Sequence, residues 1–178
     1  MILKRAFSII LLLMSVQLHA FQLSKSITKK VQKELVKTFG DKELILETIA
    51  ITDEVSAKLY QKIKNNTLFK IIQKEQIIGY AYIDKAPSKT DAFDYLIIID
   101  TNLIIKKTKV LIYREDYGGE IGSKRWLKQF IGKSSSDNLK YEREIIAISG
   151  ATISARSMTI AINTFLKNLF VLKQQHIL

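Results

Sequence analysis

Tyr95-Leu96-Ile97-Ile98-Ile99-Asp100-Thr101-Asn102-Leu103 lies near the middle of the 178-residue chain. A half-buried strand alternates apolar and polar side chains, because successive residues face opposite sides of a sheet. Leu96 to Ile99 does not alternate, so it predicts a strand covered on both faces. Asp100-Thr101-Asn102 reads as a turn into a second strand, Leu103 to Tyr113. Upstream, Thr67–Gln73 and Gln76–Ile83 flank a polar turn at Lys74-Glu75 and predict another hairpin. Gly79 within it marks a bulge or a close backbone approach. Asp84–Thr90 holds the only proline, Pro87, and reads as a loop.

Helices are expected on both sides of this β-rich middle. Over residues 24–39, Ile27, Val31, Leu35 and Phe39 form one apolar stripe, and Gly40 is the stop. Glu43–Ile51 reads as a strand. Thr52 can cap a helix with Val55, Leu59 and Ile63 on one face. Arg114–Gly122 is a glycine loop. Ser123 can cap a short helix carrying Trp126, Leu127 and Phe130, closed by Gly132. Lys133–Lys140 is a polar loop and Tyr141–Ile148 a last strand. Thr152 or Ile153 opens the final helix, with Met158, Ala161, Phe165, Leu169 and Leu172 on one side. Strands bracketed by helices predict a single α+β domain, an antiparallel or mixed sheet with flanking helices.

The N-terminus sets the compartment. Met1-Ile2-Leu3-Lys4-Arg5 is basic, Ala6–Val16 is an apolar run of 11 residues, and Gln17-Leu18-His19-Ala20 follows. This pattern reads as a signal peptide over residues 1–20, too short to span a bilayer, and the large Leu18 before the cleavage point leaves an uncleaved N-terminal anchor as the alternative. Export to the periplasm or the outer face of the cytoplasmic membrane is expected. The first 20 residues hold two basic and no acidic side chains, leaving 26 against 17 and a net charge of +9 over the other 158. Such a charge favours anionic ligands, acidic partners or membrane faces, and nucleic acid is not expected for an exported chain. The chain has no cysteine, which excludes disulfides, thiolate metal sites and cysteine nucleophiles. His176 is the one histidine left, so no histidine triad or multi-histidine metal site is expected.

Chemistry concentrates at Ser149-Gly150-Ala151-Thr152-Ile153-Ser154. Gly150 and Ala151 let a ligand approach the backbone. The first turn of the next helix carries unpartnered amides and the positive end of the dipole, which suit a phosphate. Thr152 adds a hydroxyl, Ser149 and Ser154 add hydrogen-bonding groups, and Arg156 follows one turn later on the same face. The plainer reading is a tight turn with a Thr or Ser cap. Glu115, Asp116 and Glu120 in the glycine loop read as solvated acids rather than a metal site. A full dinucleotide fingerprint is absent, because Tyr117 occupies its first glycine position.

The hexapeptide resembles the flavinylation signature of the FMN-binding domain family. Members include the C subunit of sodium-translocating NADH:quinone oxidoreductase and the G subunit of Rnf complexes. The resemblance implies that Thr152 carries FMN through a phosphoester bond. A flavin transferase of the ApbE type would make that bond outside the cytoplasm, using FAD and releasing AMP. The family's E-T-P-G-x-G loop, before a short helix ending in F-x-G-K, is similar to Glu115-Asp116-Tyr117-Gly118-Gly119-Glu120-Ile121-Gly122 and to Phe130-Ile131-Gly132-Lys133. It implies ring contacts from Glu115, Tyr117, Gly119, Ile121 and Gly122, with Tyr117 or Ile121 over a ring face. Gly79-Tyr80 resembles the G-Y step of the family's early hairpin. The implied organisation is a signal peptide at 1–20, an N-terminal helical region at 21–66 and an FMN-binding domain at 67–174.

Two departures stand out. Many members carry an aspartate three residues before the motif, where this chain has Ile146. Asp116 and Tyr117 replace the usual Thr-Pro. The resemblance implies an extracytoplasmic electron carrier with membrane-bound redox partners, in which no side chain acts on a substrate of its own. The rival readings are a flavin-free binding or assembly module of the same fold, and a lysine-rich peripheral protein of the membrane surface.

Overall fold

The computed structural model describes residues 23–178 except Lys42. The signal-peptide reading of residues 1–20 lies outside the described residues. Helix α1, Lys25–Phe39, begins where the Ser24 hydroxyl accepts from the Ile27 amide at 3.3 Å. It ends at Gly40, whose φ of 75° is left-handed, as the expected stop requires. Strand β1 is Ile45–Thr48, shorter than the apolar run that announced it. Helix α2, Asp53–Ser56, is a single turn capped by Thr52. The longer helix expected there does not form. Beyond it the side chain of Asn168 accepts from the Tyr60 amide and donates to the Gln61 carbonyl, both at 2.8 Å. Those backbone groups are satisfied from outside, so the chain can turn inward and bury Ile63 without a helix.

Strands β2 (Leu68–Gln73), β3 (Gln76–Pro87), β4 (Ala92–Asp100) and β5 (Ile105–Ile112) follow as a meander. The sheet order is β1-β2-β3-β4-β5, every neighbour antiparallel. The β2–β3 turn places Lys74 and Glu75 at φ 47° and 65°, the left-handed pair that a two-residue hairpin needs. Pro87 is the last residue of β3 rather than part of a loop, and it pairs with Ala92. A proline is tolerated at a strand end, where the ladder loses no interior donor.

β4 is covered on both faces, as its sequence predicts. Leu96 and Ile98 join a core with Ala81, Ile83, Ile71 and the α1 residues Val31 and Leu35. Phe93, Tyr95, Ile97 and Ile99 join the larger core on the other face, with Tyr82 and the last helix. Leu96 to Ile99 are at most 1 % exposed, and burying four such side chains is worth about 6–12 kcal/mol before chain entropy is subtracted.

Helix α3, Lys124–Leu127, is capped by Ser123 and runs into a 3₁₀ turn, Lys128–Phe130. Tyr141–Ile148 is not a strand. It holds one isolated bridge, Tyr141 to Ile145, between turns. Its backbone is satisfied by side chains instead: Gln129 Oε1 accepts from the Ile146 amide at 2.8 Å, and Trp126 Nε1 donates to the Ile146 carbonyl at 2.7 Å. At the sheet edge where a sixth strand would begin, Ile105 already pairs with Gly132 and Lys133. Helix α4, Thr152–Gln174, closes the larger core with Met158, Ile162, Phe165, Leu166, Leu169 and Leu172. Phe165 stacks on Tyr82 at 4.2 Å between ring centroids.

Gly79 is the close approach its sequence position suggests. A Cβ there would lie 2.3 Å from the Ile99 carbonyl oxygen, beside a register shift between Ile71 and Ile72. Gly79→Ala is expected to destabilise the domain by about 2–3 kcal/mol in urea unfolding, because only backbone movement relieves the overlap. Unchanged stability would mean that the β3–β4 contact is not tight.

Candidate functional site

The last helix begins without a side-chain cap. Its N-cap is Ala151, which has no hydroxyl or carboxylate to bond the first-turn amides. The first intrahelical bond runs from the Ala155 amide to the Ala151 carbonyl at 2.8 Å. The amides of Thr152, Ile153 and Ser154 precede it, so the positive end of the helix dipole is open to an anion. The plainer reading, a Thr or Ser cap, is therefore not what the hexapeptide forms.

Gly150 turns the chain into the helix at φ 77°, and the Ala151 amide donates to the Ile148 carbonyl at 3.3 Å. Ser149 and Gly150 are exposed, and Ala151 is buried. The Thr152 side chain is exposed and borders a shallow depression of about 250 Å³ with Ile153, Arg156, Ser157 and Ile160. Ile153 and Ile160 are each more than half exposed, so the depression is an apolar surface beside a free hydroxyl. Arg156 shares its rim, and its guanidinium lies 5.4 Å from the centre of the Tyr141 ring. Ser154 differs from the expectation of a ligand contact: it is 3 % exposed and its hydroxyl is 3.0 Å from that of Tyr113.

The glycine loop meets this turn directly. Gly118 has φ 77°, and a Cβ on it would lie 2.8 Å from the Ala151 Cβ and 3.0 Å from the Gly150 carbonyl oxygen. The two segments singled out in the sequence thus meet, Gly118 against Gly150 and Ala151. Three consecutive residues hold the start of the loop. Tyr113 reaches Ser154, Arg114 forms an ion pair with the buried Asp94, and Glu115 binds the 88–91 turn. Tyr113 and Ser157 border the candidate site and were not singled out from sequence, and Gly118 was quoted only as part of the glycine loop. A tyrosine after a strand and a serine in a helix carry no signal until their neighbours are known.

The expected ring contacts divide. Tyr117 is 83 % exposed at the loop tip, and Gly119 is exposed beside it. Ile121 is fully buried in the larger core, so of the two side chains named to cover a ring, Tyr117 is the one at the surface. Gly122 lies at the far end of the Gly119–Gly122 3₁₀ turn, against Val110. Glu115 is engaged with protein: its carboxylate accepts from the Ser88 hydroxyl at 2.6 Å, the Thr90 amide at 2.7 Å, the Thr90 hydroxyl at 2.8 Å and the Asp91 amide at 3.2 Å.

This α+β domain brings together an uncapped helix N-terminus, an exposed hydroxyl at its first residue and an apolar rim, features that suit a phosphate-bearing ligand with a flat apolar body. The family then follows from comparison. Residues 89–167 match the family model of the FMN-binding domain, and this stretch holds both the glycine loop and the hexapeptide. No curated protein matches the chain. Over those residues the chain is similar to the FMN-binding domain, and FMN is the cofactor that the match points to.

Its hydrogen bonds, led by that from Ser88, push the Glu115 carboxyl down from 4.5 to about 2. A carboxyl depressed on folding stabilises the protein above its unfolded pKa and loses that stabilisation as pH falls through the folded one. The Glu115 titration followed by NMR is expected to have its midpoint near 2. The stability gap between the protein and Glu115→Gln should close as pH drops from 4.5 toward 2. A midpoint near 4.5 would show that Glu115 does not hold the 88–91 turn.

Proposed function

We propose that this protein is an extracytoplasmic electron carrier that holds FMN through a phosphoester at the Thr152 hydroxyl. One observation carries the reading. Within the matched domain, the threonine of a Ser-Gly-Ala-Thr turn stands exposed at the first residue of a helix that no side chain caps. The residues fit the cofactor. Free amides at a helix start suit a phosphate, and the exposed Ile153, Ile160 and Tyr117 offer apolar surface to a flat ring.

In attachment, the Thr152 oxygen bonds to the FMN phosphorus of FAD, the bond to AMP breaks, and the hydroxyl proton is released. The partner in that step is a flavin transferase of the ApbE type. FMN, once held, supplies the redox chemistry, and the protein contributes anchoring and the local field. Arg156 on the same rim adds positive charge beside the phosphate. Gly118 keeps the glycine loop against the anchor turn. A tether suits an exported carrier, since cofactor lost outside the cytoplasm is not readily replaced. Membrane-bound redox proteins are the proposed electron partners.

Ile146 supports a second reading, a flavin-free binding or assembly module. Its side chain is 70 % exposed three residues before the motif, where many family members present an aspartate. A transferase that reads the acid finds an apolar surface instead.

Co-expression with a flavin transferase separates the two readings. Denaturing electrophoresis is expected to show a fluorescent band for the protein and none for Thr152→Ala, with intact mass rising by FMN minus water. Ile146→Asp is expected to increase the modified fraction. A protein that stays colourless in both the native and Ile146→Asp forms favours the flavin-free module.

A further inference from the structure

A second hollow, of about 360 Å³, lies between α1, β5 and the α3 segment. That volume is in the range of small-ligand sites. Lys106, Lys107 and Lys109 of β5, Lys37 of α1, and Lys124 and Lys128 of the α3 segment line it. Glu34 is the one acid in the lining. It is 7 % exposed and holds Lys37 at 3.0 Å and Lys107 at 3.6 Å. Six cations around one carboxylate leave a local excess of five positive charges. Lys109 also interacts electrostatically with Glu34, whereas Lys106, Lys124 and Lys128 form no ion pair among the described residues.

Lysines on an exposed strand edge discourage strand pairing between molecules, which accounts for part of the β5 set. That reason does not extend to Lys124 and Lys128, which approach the same hollow from another element. Gathering like charges in a concavity costs repulsion unless an anion occupies it, and concave walls focus the field on such an anion. Thr108, Leu127 and Ile131 complete the lining, and the buried Thr108 hydroxyl donates to the Leu127 carbonyl at 3.1 Å, which ties β5 to the α3 wall.

We propose that this lysine-lined hollow binds clustered phosphates, carried either by a soluble oligophosphate or by an anionic lipid headgroup. The Glu34 carboxylate fixes two of the cations, and the unpaired lysines meet the ligand. The site is separate from the Thr152 depression, with which it shares no lining residue.

The test uses tripolyphosphate in titration calorimetry and, separately, vesicles of phosphatidylcholine with and without phosphatidylglycerol. Two variants of equal charge are compared: Lys106→Gln/Lys124→Gln/Lys128→Gln in the hollow, and Lys62→Gln/Lys74→Gln/Lys173→Gln at exposed positions elsewhere. Binding to at least one probe is expected, weakening with added salt. The hollow variant should lose about tenfold or more in affinity, with little change in the distant one. Tripolyphosphate binding without vesicle binding identifies a soluble ligand, and the reverse identifies a lipid headgroup. Equal loss in the two variants, or no binding to either probe, overturns the proposal. Circular dichroism melting checks that each variant is folded.

Discussion

Burial of β4 on both faces is the constraint from which the architecture follows. A strand with Leu96 and Ile98 on one side and Ile97 and Ile99 on the other cannot leave either side to water. An antiparallel meander supplies no crossover helices of its own, so the covers must come from the ends of the chain. Helix α1 provides one before the sheet begins, and α4 provides the other after it ends. The final helix is therefore held by the larger core along its length. Its first residue, Thr152, is set by that packing, with Ala155 and Met158 fully buried just beyond it.

Positioning the anchor turn falls to the loop after β5. Side chains at 113, 114 and 115 bind three separate segments, and the chain then brings Gly118 against Gly150 and Ala151. A larger residue at 118 would have both a strained left-handed backbone and no room, so the glycine there serves two purposes. Around this contact the exposed side chains include Thr152, Ile153, Ile160, Arg156 and Tyr117. The firmly packed base contrasts with an open rim, the arrangement that the proposed cofactor tether calls for, because an anchor must stay fixed while a ring remains reachable.

Charge divides the molecule differently. The candidate flavin site relies on backbone amides and one arginine, whereas the strongest concentration of lysines lies between α1, β5 and α3. The overall excess of basic residues is thus not evenly spread. Its densest part lies beside the glycine loop, since Gly122 belongs to the wall of the lysine hollow while Gly118 touches the anchor turn.

Local patterns were enough for much of the fold. The apolar stripe and the Ser24 and Gly40 ends define α1, two polar turns define the hairpins, and the unbroken run at 96–99 calls for a two-sided core. The Ser-Gly-Ala-Thr turn before a helix was legible because its chemistry is written in adjacent residues. Sequence reading failed where a distant side chain took over backbone hydrogen bonds: Asn168 at 60–61, and Gln129 with Trp126 at 146. It also failed to separate Ile121 from Tyr117, since exposure depends on what packs above a residue rather than on its type. Sequence by itself determined the first helix with both its ends, the two hairpins and the two-sided burial of 96–99, and it singled out the Thr152 turn. Only tertiary structure decided that the glycine loop rests on that turn, and that lysines from three elements face one hollow. Contacts between segments far apart in the chain arise from packing, which no local pattern encodes.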